Sequence, residues 1–217
     1  MMKKIYMLLL IEIFLLISGE ISKSQPPNFC PQGYTQIIVN IPIIDNGDTC
    51  MYEVILCVKC VLGTSPESIV EEIMVHAMRP LDTLCISDSA AVMNSIVQTI
   101  NDPDWVYINI IPYCSNGWPP CNSNPPVPPI EVVYSYPICW QWDVFVINED
   151  PYEEVRVKVA SCDCFCKWTK FFCWEGQQLV ELTGLAIPPD IDPESSCDCL
   201  QPEYSGECFV EPSPCSQ

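Results

Sequence analysis

The chain has 217 residues, with 28 acidic against 9 basic side chains, one histidine and 16 cysteines. A surface this acidic repels nucleic acid and anionic membranes, which argues against both as partners. An even and high cysteine count with 22 prolines points to a bridge-stabilised chain outside the reducing cytosol.

Residues 1–24 have the layout of a secretory signal peptide: Lys3 and Lys4, an apolar run from Ile5 to Ile17 broken only by Glu12, then small residues at Ser22 and Ser24. The run is shorter than the ~20 residues a membrane span needs, so no membrane insertion is expected once the signal is cleaved. Taking away Lys3, Lys4, Lys23, Glu12 and Glu20 leaves 26 acidic and 6 basic side chains for the exported part.

The stretch "IIVNIPIIDNGDTCMYEVILCVKC", 37–60, places Asn46-Gly47 between two β-rich runs, the pattern of a hairpin with a tight turn. Pro42 has no N–H to give and marks an edge strand. In "TSPESIVEEIMVHAMRP", Ser65 and Pro66 read as a helix start. Ile69, Val70, Ile73, Met74, Ala77 and Met78 recur at helical spacing, and Pro80 stops the run. A second helix is expected over 88–100, with Met93, Ile96, Val97 and Ile100 inward. "WVYINIIPY", 105–113, reads as a strand that rejoins the hairpin.

The proline-rich stretch 115–130 reads as a linker. It divides the chain into an α+β domain, 25–114, and a β-rich disulfide domain, 131–217. Six cysteines precede it and ten follow from Cys121, so each half can close its own bridges. The second half opens with a long hairpin turned near Glu149 to Tyr152, then a short strand or helical turn near 177–183. An irregular, acidic, Cys- and Pro-rich tail follows from Leu185. The fold class is therefore α+β and disulfide-rich: a hairpin, two-helix and strand unit, then a cysteine-stapled β half.

Cysteine spacing offers several chemistries. Cys57-Val-Lys-Cys60 has redox spacing, but such a site opens a helix, whereas this pair ends a strand. Cys162, Cys164 and Cys166 alternate, followed by Cys173. Zinc would want paired knuckles or histidine, and no C-x-x-C-H offers haem attachment. Staples are the expectation for all of Cys30, Cys50, Cys57, Cys60, Cys85, Cys114, Cys121, Cys139, Cys162, Cys164, Cys166, Cys173, Cys197, Cys199, Cys208 and Cys215. At least one bridge should join the 162–166 cluster to the tail. The cluster raises a problem of phase, because it continues Arg156 and Lys158 while Val155, Val157 and Val159 take the other face.

His76 is expected on the outer face of the first helix, without a nucleophile motif to serve. Asp190, Asp192, Glu194 and Asp198 supply the hard oxygens that calcium prefers, though not in EF-hand spacing. No other cofactor is expected. Trp140 and Trp142 share a strand face and form either a core pair or a platform for a sugar ring.

The composition suits a secreted, non-catalytic structural or binding protein at the cell surface or beyond it. The alternatives are a carbohydrate-binding module using Trp140 and Trp142, or an acidic hydrolase using two carboxylates. Its partners would be an extracellular glycan or protein, or further copies joined through open strand edges.

Overall fold

A computed structural model describes residues 28–45, 48–62, 68–82, 85, 89–114, 118–124, 126–149, 152–160, 164–192 and 207–208. The expected signal peptide, along with Cys162, Cys197, Cys199 and Cys215, lies outside these residues. The strands are β1 (Thr35–Asp45), β2 (Asp48–Leu62), β3 (Ser68–Pro80), β4 (Ile130–Pro137), β5 (Cys139–Glu149), β6 (Tyr152–Ala160), β7 (Phe165–Glu175), β8 (Gln178–Glu181), β9 (Ile187–Ile191) and β10 (Glu207–Cys208). Helices α1 (Ser89–Ile100) and α2 (Pro103–Asn109) and a 3-10 turn (Ile111–Tyr113) stand between β3 and β4. The protein is mostly β-sheet with few helices, roughly compatible with the α+β expectation; of the two expected helices only the second forms, and α2 stands where a strand was expected.

The first hairpin forms as the sequence indicates, with Asp45 opposite Asp48 and Pro42 opposite Met51. Isoleucine alternation sets its register: Ile37, Ile41 and Ile43 are buried, while Ile38 and Ile44 stand exposed. β1 pairs only with β2 among the described residues, so Pro42 does lie on an edge strand.

The next element departs from expectation. Residues 68–80 form strand β3 instead of a helix. β3 pairs with β2, but the register shifts twice, so that Glu71 and His76 have no opposite residue. Each shift is a β-bulge, which adds one residue to one strand. The residues β3 sends into the main core are therefore Val70, Ile73, Val75 and Met78, at steps of three, two and three. Two bulges thus give a strand the near-helical spacing seen in the sequence.

The segment expected as a strand, 105–113, is helix α2 and the 3-10 turn. Asp102 caps α2, its side chain accepting the Asp104 N–H at 2.9 Å, and Pro103 occupies the first turn. Helix α1 lies where expected, with Met93, Ile96, Val97 and Ile100 buried.

β3 is the branch point of the sheet. Along one edge it pairs throughout with β2. Along the other, Glu72 to Met74 pair in parallel with β4, while Ala77 and Met78 pair with β6. The sheet forks between these contacts, beside the bulged His76. One arm runs β4, β7 and then β8 and β9; the other runs β6, β5 and β10. The chain crosses between arms at Ile138, whose N–H bonds the Cys164 carbonyl at 2.9 Å.

The main core lies on the sheet face that α1 and α2 cover, and it includes Leu56, Ile73, Tyr134, Trp140 and Phe172. A smaller cluster of Ile55, Ala77 and Val157 sits apart, covered by Phe29. The proline-rich stretch is pinned to β7. Trp118 packs edge-on against Phe172, and the Trp174 N–H bonds Pro119 O at 2.8 Å.

Bridges follow the cysteine arithmetic of the first half. Cys30–Cys57, Cys50–Cys85 and Cys60–Cys114 use all six of its cysteines, and Cys121–Cys173 ties the stretch after them to β7. Cys139, Cys164 and Cys166 are also disulfide-bonded. The phase problem dissolves because β6 ends at Ala160 and β7 starts afresh at Phe165. On β7 the even positions Cys166 and Trp168 are buried, beside a fully buried Cys164.

Candidate functional site

Burial separates the two tryptophans. β5 leaves the covered part of the sheet after Trp140, which is fully buried. From Gln141 to Val144 every residue is exposed, so both faces of this strand are open to solvent. Trp142 is 53% exposed although it points to the same side as Trp140. Its neighbours follow from the β5–β6 register, in which Trp142 lies opposite Lys158 and Val144 opposite Arg156. The Lys158 ammonium sits 5.2 Å from the centre of the Trp142 ring, a cation–π contact.

This row is also where cationic charge gathers. Lys59 binds Glu71 at 2.5 Å, Arg79 binds Glu53 at 2.7 Å, Lys167 binds Asp192 at 2.7 Å and Lys170 binds Glu181 at 2.8 Å. Arg156 is exposed, and no carboxylate among the described residues pairs with it. Exposed Trp142, Val144 and Arg156, with half-buried Lys158 beside them, thus form an aromatic and cationic strip on a strongly acidic chain.

Several other polar groups are committed to one another. Tyr34 Oη and Ser135 Oγ both donate to Glu72, the serine at 3.1 Å. Burial and then the Glu72 carboxylate hold the Tyr34 phenol well above its ordinary range. Lys170 also donates to the Asn101 carbonyl at 3.0 Å, just past the end of α1, where the helix dipole favours a cation. Trp168 Nε1 donates to Asn101 Oδ1 at 2.9 Å and its ring stacks on Tyr134. These contacts consolidate the fold; among the described residues Glu71 and Glu131 are the two carboxylates that line a common recess, and Glu71 is held by Lys59.

His76 is half-buried in its bulge instead of exposed on a helix, and its Nδ1 has no hydrogen-bond partner among the described residues. Burial lowers its pKa below the ordinary imidazole value. Cys57 and Cys60 do not bridge each other but reach Cys30 and Cys114, which gives that spacing a structural meaning. Of the expected calcium ligands, Asp190 accepts the N–H of Ile191 at 2.8 Å and Asp192 holds Lys167. Glu194 and Asp198 lie outside the described residues. Among the described residues no cluster of three His, Cys, Asp or Glu side chains could hold a metal ion, and no helix is long and apolar enough to cross a membrane.

Two recesses lie among the described residues. One of about 490 Å³ runs between Val61 and Ile69 on one side and Val127 to Glu131 on the other. The second, about 350 Å³, lies between β1 and α2. Neither was visible in the sequence, because each needs the proline-rich stretch or α2 to come back against the first strands. Compared with family models, curated proteins and solved structures, the chain matches none.

Proposed function

We propose that this is an exported, non-catalytic protein with a structural or binding role at the cell surface or beyond it. Its disulfide bonding supports a protein stabilised for an oxidising exterior. The observation that carries the binding role is the placement of Trp142, half-exposed on a hairpin strand open on both faces. An exposed tryptophan offers a large rigid contact at small entropic cost, the usual anchor of a binding surface.

A second reading is favoured by the same ring: an exposed tryptophan face stacks on a sugar. The Trp142→Ala variant separates the readings. Secreted wild-type protein and variant are compared on a glycan array, on a panel of glycosidase substrates and by light scattering. Glycan binding lost in the variant supports the sugar-binding reading. Silence on glycans together with binding to an extracellular protein, or self-assembly, supports the structural one. Turnover of any glycosidase substrate, abolished by one Asp or Glu replacement, would refute both.

A further inference from the structure

We infer that the free edge of β1 accepts an extended, non-acidic peptide segment of another protein as an added strand. The argument starts from one hydrogen bond. Met51 lies opposite Pro42 in the β1–β2 ladder, and its carbonyl accepts the Leu81 N–H at 2.9 Å on the far side. In an antiparallel ladder the N–H and C=O of one residue point to the same neighbour, and directions alternate along the strand. Met51 therefore faces away from β1, and Pro42, opposite it, faces away from β2. The register is unbroken along β1, so Ile38 and Asn40 also turn their backbone groups outward. Among the described residues no strand meets them there.

The open span has defined ends. On one side Gln36 is engaged, its side chain accepting the Phe29 N–H at 2.8 Å. On the other, Pro42 offers no donor, a device that limits pairing at sheet edges. Between these ends the edge borders the recess of about 350 Å³, walled by Trp105, Ile108, Pro112 and Tyr113. A strand edge beside a helix is the setting for peptide recognition by strand addition, where backbone bonds give affinity and alternate side chains enter the groove.

The chemistry of the occupant follows. Unpaired N–H and C=O groups spaced two residues apart are matched by another strand. No charged side chain lines the groove, which asks for uncharged side chains inside it. The protein around it is strongly acidic, which steers basic flanks inward and acidic segments away. A second copy would bring the same negative charge, which sets it behind a non-acidic partner.

The test uses the full secreted protein and two synthetic probes. One is a ten-residue peptide of alternating valine and threonine with lysine at each end; the other is the same peptide N-methylated at alternate residues. NMR hydrogen exchange is followed at the Ile38 and Asn40 amides. The plain peptide should slow both, and the methylated one neither. Asn40→Pro removes an outward N–H without touching the β2 ladder, and should weaken binding about tenfold, roughly the loss of one backbone hydrogen bond. Should Asn40→Pro disturb folding, Ile108→Lys on the exposed groove wall should weaken the lysine-flanked peptide instead. Unchanged exchange at Ile38 and Asn40 under saturating plain peptide would overturn the proposal. Equal affinity for both probes would overturn it too, as would a dimer that Asn40→Pro dissolves, which would assign the edge to a second copy.

Discussion

Trp140 and Trp142 stand on one face of one strand, and the alternation of the sequence says as much. What separates them is how far the core extends along β5: Trp140 belongs to the main cluster, and from Gln141 to Val144 the strand is exposed. A large buried ring replaced by alanine costs about 3–5 kcal/mol, so Trp140→Ala should lose a large share of the roughly 5–15 kcal/mol a domain holds. Trp142→Ala should cost less than about 1 kcal/mol, as exposed substitutions do. Denaturant unfolding of the two variants checks the contrast. His76 teaches the same lesson from the polar side. Burial lowers its pKa, so between that value and the ordinary value near 6.5 the unfolded chain binds more protons than the folded one. The resulting penalty is absent above that window and grows as pH falls through it. His76→Gln should flatten this part of the pH–stability curve, as thermal unfolding at a series of pH values will show.

Elements were legible where their signals are local. Asn46-Gly47 and the turn near Glu149 to Tyr152 mark both hairpins, because the residues that shape a tight turn lie inside it. Helix α1 was legible from its periodicity. β3 was not, since the bulges at Glu71 and His76 convert a period of two into steps of three and two, and a bulge shows itself only against a partner strand. Helix α2 carried a readable signal in Asp102-Pro103, outweighed by the β-branched and aromatic residues that follow. Losing that cap should cost about 1 kcal/mol, so Asp102→Ala should lower the unfolding midpoint without changing the bridges. β9 opens the proline-rich tail and lies along β7, with Ile191 opposite Cys166. Peptide mapping of the non-reduced protein is accordingly expected to join the 162–166 cluster to that tail.

Across the whole molecule, the cysteine count predicted that the first half could close on itself, and its three bridges do so. The fork at β3 had no sequence signal, because pairing between strands far apart in the chain depends on which edges remain open. The Cys60–Cys114 bridge spans 54 residues and should contribute roughly 4 kcal/mol by loop-closure entropy, so replacing both cysteines with serine should lower stability by that order. The self-contained bridging of the first half bears on timing as well as on strength. On the export proposed above, a chain threaded across a membrane from its N-terminus releases the last partner of these three pairs with Cys114, while the strands that branch from β3 are still to come. Oxidation can finish there with no competing thiol from the cysteine-dense remainder in reach. Slowed translocation should therefore favour correct pairing, and release of the whole reduced chain at once should scramble it.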